Sequence, residues 1–286
     1  MRRMSTIAAL LAVLGLAGMA PARTAPRADG GRTDDGRRPQ DDDDDDRGPG
    51  AGRRDAIRMG KIRELYTDLI APSPTLILTG QKSVRHIFTA DVRGRVTPAG
   101  EFMDPEAVNE YFFGLATTPT SHVARVDLPS LVASGDKVAV EADIHFQRND
   151  GSAFTLRQTG FFTFDRHDRV VSFDLTILNL GAAVNPKSAA EREATIQGVC
   201  AVLTLGVGGQ PPTCPGEYAD FSDCLGFMHS KPYGTWDRAN SDTVVCRQLH
   251  TLLTPFRPAV HCPHAGKTGG HACIEFPYES FFEKEY

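Results

Sequence analysis

The chain has 286 residues, room for one large or two ordinary domains with a real apolar core. Acidic residues outnumber basic ones by 36 to 31, a formal net charge of −5, which excludes the non-specific nucleic-acid binding that a basic surface would support. All six cysteines (Cys200, Cys214, Cys224, Cys246, Cys262, Cys273) fall in the last third, and an even, clustered set reads as three disulfides of an exported chain.

Met1-Arg2-Arg3, the apolar run Ile7 to Ala17 and the small residues Ala20-Pro21-Ala22 have the order of a secretory signal, with cleavage expected after Ala22. The run is 11 residues long, well short of the roughly 20 that span a bilayer, so no membrane span is expected. The mature chain should be secreted or periplasmic. Residues 23–55 hold the unbroken run Asp41 to Asp46 among Arg, Gly and Pro, and read as a disordered acidic linker.

Met59, Ile62, Leu65, Tyr66, Leu69 and Ile70 recur at three and four residues and predict an amphipathic helix ended by Pro72 and Pro74. A loop or short helix follows through Gln81 to Phe88. Asp104-Pro105-Glu106 supplies an N-cap, a first-turn proline and an early acid for a helix with Val108, Tyr111, Phe112 and Leu115 on one face. Val126 to Val132 predicts a strand in which Pro129 demands an edge or a bulge. Three further strands follow. Val138, Val140, Ala142, Ile144 and Phe146 alternate with polar residues, Asp150-Gly151 turns the chain, and Phe154, Leu156, Phe162 and Phe164 resume the parity. Asp165-Arg166-His167-Asp168 then leads into Val171, Phe173, Leu175 and Ile177. The architecture expected is α+β, helices packed on one side of a curved antiparallel sheet.

From Ser188 the pattern becomes helical. Ser188 and Glu191 are spaced as a capping box, Asp220 caps a second helix, and Asn240, Ser241 or Asp242 a third. Each helix carries one cysteine on its apolar face. The expected pairs are Cys224 with Cys246 on neighbouring helices, Cys262 with Cys273 across a glycine-rich loop, and Cys200 with Cys214. The division is thus signal peptide 1–22, linker 23–55, α+β barrel 56–185 and a small disulfide-braced, mostly helical domain 186–286.

Three features of residues 56–182 resemble the nuclear transport factor 2-like superfamily, which includes polyketide cyclases and ketosteroid isomerases. They are the helix Met59 to Ile70, the segment His86-Ile87-Phe88-Thr89-Ala90-Asp91-Val92, and Gly160-Phe161-Phe162-Thr163-Phe164-Asp165 running into a polar turn. The resemblance implies a cone-shaped barrel with an apolar pocket between sheet and helices, and often a dimer packed through the sheet. It carries over no functional residues.

His86, Asp91 and Tyr111 fall on or near the helices that would border such a pocket and are its candidate residues. Asp143 and His145 could form an acid/base pair only if their strand face lined a cavity; the more apolar opposite face should meet the helices. His250, His261, His264 and His271 crowd a short span, and imidazole is a ligand for zinc, copper or iron. The plainer reading is loop histidines bonded to backbone carbonyls, and the chain as read calls for no cofactor. No Gly-x-Ser-x-Gly elbow, Walker loop or His-Glu-x-x-His helix is present. Three functions stay open: a secreted module that binds a small apolar molecule or a second copy of itself through the sheet, an isomerase, cyclase or lyase acting on a cyclic apolar substrate in the pocket, and a histidine metal site.

Overall fold

The structure, a computed structural model, describes residues 51–275 together with 277, 279, 283 and 286. The expected signal peptide and most of the acidic linker lie outside the described residues. Helix α1 (Ala51–Thr67) begins inside the stretch read as linker. Its residues Ile62, Leu65 and Tyr66 are buried at 0 to 1% exposure, the stripe that the periodicity marks. Pro74 does not merely end this helix: it sits in the first turn of α2 (Ser73–Leu78), where its missing N–H costs nothing.

Six strands form one curved sheet in the order β2-β1-β6-β5-β4-β3. They are β1 (Phe88–Thr97), β2 (Gly100–Phe102), β3 (Ser121–Ser134), β4 (Lys137–Arg148), β5 (Ala153–Phe164) and β6 (Val170–Ile177). All neighbours are antiparallel except β1 and β6, which run parallel. Val138, Val140, Ala142, Ile144 and Phe146 are all buried against the helices. The opposite face is held by ions: Arg157 donates two 2.7 Å hydrogen bonds to Asp143 and pairs with Glu141 at 3.0 Å. On that face, too, His145 contacts Asp127 and Thr155, each at 2.9 Å, so it forms no couple with Asp143. Pro129 falls where the β3–β4 register shifts, between Asp127 and Ser130, so β3 is both an edge strand and a bulged one.

Helix α3 (Pro105–Asn109) starts at Asp104, whose carboxylate accepts from the Ala107 N–H at 2.7 Å. It runs on as one π-helical turn, Glu110–Gly114, closed by the Leu115 N–H to the Glu110 carbonyl at 3.2 Å. Widening the turn buries all five of its residues at once. After β6 come α4 (Leu180–Val184), α5 (Ala189–Thr204), α6 (Phe221–His229), α7 (Val244–Leu253) and α8 (Pro258–Ala265). Ser188 and Asp220 cap α5 and α6 as expected, whereas the cap of α7 is Thr243, one residue later than predicted.

All six cysteines are paired, but the pairs are Cys200–Cys224, Cys214–Cys262 and Cys246–Cys273, none of those expected. The reason is geometric. Helix α5 packs against both α6 and α7, so Cys224 meets Cys200 rather than Cys246, and Cys262 lies on a helix rather than at the foot of a loop. Arg247 is only 1% exposed, holding the Gly266 and Thr243 carbonyls and Asp242. Three disulfides are the mark of an oxidising environment. No helix among the described residues is long and apolar enough to cross a membrane.

The two parts share one core. Trp236, Ala239, Val245 and Leu249 of the later part pack into the cluster formed by the barrel's Tyr66, Phe112, Phe162 and Phe173. A second cluster, built around Val199, Leu203, Met228 and the cysteines, holds α5 to α8 together.

Candidate functional site

A cavity of about 160 Å³ lies between the sheet and the helices. Its walls are apolar: Phe146, Phe154, Leu156 and Ile177 come from the sheet, Leu69, Phe112 and Leu115 from the first helices, and Trp236, Leu249 and Leu252 from the later part. That volume matches one benzene-sized ring. Among the described residues, none of the groups lining it is a carboxylate, imidazole, amine or guanidinium.

Its polar groups are few and placed. Tyr66 is 1% exposed and, among the described residues, its hydroxyl has no acceptor other than Gln158 Oε1, to which it donates at 2.6 Å. This fixes the amide: Gln158 Nε2 faces the other way and donates to the Tyr111 hydroxyl at 2.8 Å. Tyr111 therefore receives a hydrogen bond and keeps its own proton to donate, and Tyr111 lines the cavity. Burial pushes its pKa up, with the bond from Gln158 only partly opposing, so the hydroxyl stays protonated. Gln248 on α7, 4% exposed, also lines this cavity, and its buried Oε1 has no hydrogen-bond partner among the described residues. Thr118, Thr120 and Ser121 complete the polar lining.

A second cavity, about 560 Å³, adjoins the first and shares Ala99, Leu115 and Leu249 as wall. The helices deal consecutive residues to the two sides. Glu110 faces the second cavity and Tyr111 the first; on α7, Gln248 lines the first, Leu249 both, and His250 the second. The second cavity also holds Arg257, His261, His264 and His271. Glu110, 4% exposed, accepts from Arg257 at 2.7 Å and meets His261 Nε2 at 3.1 Å, while its Oε1 has no partner. Burial raises the Glu110 pKa, but the bonds from His261 and Arg257 outweigh it and leave the carboxylate below its ordinary value. For His250, burial followed by His264, His261 and Arg247 pushes the pKa well below normal. Burial, then His261 and His271, lowers His264 to about 4.

Of the candidate pocket residues, only Tyr111 lines the barrel cavity. His86 is a surface residue that meets Glu64 at 2.9 Å, and Asp91 is exposed on β1. Asp91 sits outside the cavity because it falls at an exposed position of β1 (Phe88–Thr97), and His86 precedes that strand. The histidines are not loop residues on backbone carbonyls: His250 is on α7, His261 and His264 are on α8, and their nitrogens meet one another. His271 lines the cavity but stands outside the group of nitrogens within 4.8 Å of each other. Gln158, Tyr66, Gln248 and Glu110 are not among the candidate residues that the sequence offers. The parity that puts Gln158 on the apolar face of β5, a polar residue in a greasy row, was the signal that could have found it.

Residues 81–173 match the model of the SnoaL-like domain, and residues 177–276 match the BfoA family C-terminal domain. The chain is similar to aurasperone B biosynthesis cluster protein A of Aspergillus niger, 28% identical over 210 residues, 66% of this chain and 68% of that protein. It is also similar to bifonsecin B biosynthesis cluster protein A of Aspergillus brasiliensis, 26% identical over 212 residues, 66% of this chain and 70% of that one. Among solved structures, a protein assigned as a SnoaL-like polyketide cyclase from Jannaschia sp. CCS1 matches with 14% identity and a TM-score of 0.38, over 50% of this chain and 99% of that one.

Proposed function

We propose that this chain, a SnoaL-like domain joined to a BfoA family C-terminal domain, acts in a small-molecule biosynthetic route as a cyclase or isomerase whose substrate places one ring-sized apolar unit in the barrel cavity. The observation that carries the proposal is the unspent proton of Tyr111, held in an apolar cavity by the chain Tyr66–Gln158–Tyr111. A donor fixed there polarises a substrate carbonyl and stabilises the negative charge that develops on its oxygen as the enol carbon of the same substrate attacks it: the C–C bond forms as the C=O π bond breaks, and the enol proton passes to the new alkoxide. The remaining polar lining, Thr118, Thr120, Ser121 and Gln248, suits a hydroxyl on the same substrate, so the ligand class is a hydroxy-ketone with an apolar body. Among the described residues, the lining supplies a hydrogen-bond donor and no base. The chemistry is therefore confined to substrates whose flanking carbonyls let them enter as the enol, the walls acting by holding the chain folded for ring closure.

The lack of a base favours a second reading, a module that binds such a molecule without transforming it. One probe separates the readings. Trp236 is the only tryptophan of the chain and lines the cavity, so a one-ring hydroxy-ketone such as 2-hydroxyacetophenone should quench its fluorescence saturably. Turnover of a linear poly-ketone that is lost in Tyr111→Phe supports the enzyme; saturable binding with no turnover leaves the binding module. We also propose export by the N-terminal segment, in which case sequencing of the secreted protein begins at Arg23.

A further inference from the structure

The three helical histidines of the second cavity have a geometry that hydrogen bonding alone does not explain. His250 Nδ1 lies 3.0 Å from His261 Nδ1 and 3.4 Å from His264 Nδ1. An imidazole nitrogen has one in-plane site, either a lone pair or an N–H, and here two other nitrogens are aimed at it. Spacings of 3.0 and 3.4 Å are those of neighbouring corners around an ion about 2.0 to 2.1 Å from each nitrogen. The ligands come from two helices: His261 and His264 are three residues apart on one face of α8, and His250 is on α7 against it. Behind His261, Glu110 of the barrel holds the far ring nitrogen at 3.1 Å, the carboxylate–histidine arrangement that orients a metal-binding imidazole. Arg257 in turn fixes Glu110 at 2.7 Å. Cys246 and Cys273 also approach His250, but as a disulfide they offer no thiolate.

The geometry points to a divalent transition-metal site of the zinc and cobalt class, with Nδ1 of His250, His261 and His264 as its three protein ligands and Glu110 as the positioning carboxylate. Three ligands leave one coordination position for water or for an oxygen of a small molecule in the adjoining cavity. The assignment goes beyond the reading of the barrel cavity and does not rest on it.

The test uses the full chain with its disulfides formed, stripped with chelator and titrated with Co²⁺. One Co²⁺ per chain should bind with the visible absorption of a tetrahedral site and be displaced by Zn²⁺. X-ray absorption of that form should count three imidazoles. His261→Asn and His264→Asn should each abolish the band, His271→Ala should keep it, and Glu110→Gln should keep it with affinity weakened about 10- to 100-fold. Absence of stoichiometric Co²⁺ from the folded wild-type chain would overturn the assignment, as would a ligand count without imidazole. Both measurements are made on the wild-type protein, so a variant that fails to fold does not rescue the idea.

Discussion

Tyr111 is the residue on which the chemistry of the barrel turns, and its role depends on Tyr66 and Gln158 behind it. Tyr66 spends its proton on Gln158, Gln158 spends its amide on Tyr111, and only Tyr111 has a proton left for the cavity. Tyr111→Phe should weaken binding of a hydroxy-ketone about tenfold, the worth of one hydrogen bond near 1.4 kcal/mol, as read by titration of Trp236 fluorescence. Gln158→Leu acts differently: it leaves two buried hydroxyls without their partner and should destabilise the fold by about 2–5 kcal/mol, measured by denaturant unfolding. Both tyrosines have pKa values raised by burial above the ordinary 10.0. The unfolded chain therefore releases these protons first, so their contribution is present below pH 10 and stability falls as the pH rises beyond it. Ligand affinity, by contrast, should be flat from about pH 6 to 9, because the donor does not ionise there.

Elements defined by side-chain periodicity were readable from the sequence, and those defined by tertiary pairing were not. The β4–β5 hairpin shows the first case: its parity, its Asp150-Gly151 turn and the Phe146–Phe154 register all follow from a two-residue repeat with one greasy face. Strand β1 shows the second. Asp91, Arg93, Gly94 and Arg95 blur its alternation, the buried Arg95 is paired with Asp174 of β6, and Gly94 is required because a side chain there would strike Phe173. Helix α8 is hidden in the sequence because Pro263 lies inside it, and the placement of His261 and His264 is hidden with it. Disulfide partners depend on which helix lies between which others, information that no helix contains. Two outcomes test this level. Peptide mapping under non-reducing conditions should recover Cys200–Cys224, Cys214–Cys262 and Cys246–Cys273. Gly160→Ala should cost about 2 kcal/mol or more, because Gly160 has φ +145° and an added Cβ would meet the Asp174 carbonyl.

At the scale of the whole molecule, the later part is a lid and a floor as well as an appendage. Trp236, Leu249 and Leu252 wall the barrel cavity, and Leu249 separates it from the histidine cavity. A chain ending near residue 185 would open the cavity and expose core surface. It should aggregate or unfold tens of degrees below the full chain, whereas a barrel that is stable alone would show the contacts of Trp236 and Leu249 to be dispensable. The most direct measurement is a crystal structure of the full chain with 2-hydroxyacetophenone. The ring should lie between Phe146 and Trp236 with its carbonyl oxygen about 2.7 Å from Tyr111 Oη. A ligand bound elsewhere, or one in the cavity with Tyr111 Oη turned to a carbon face, would contradict the account.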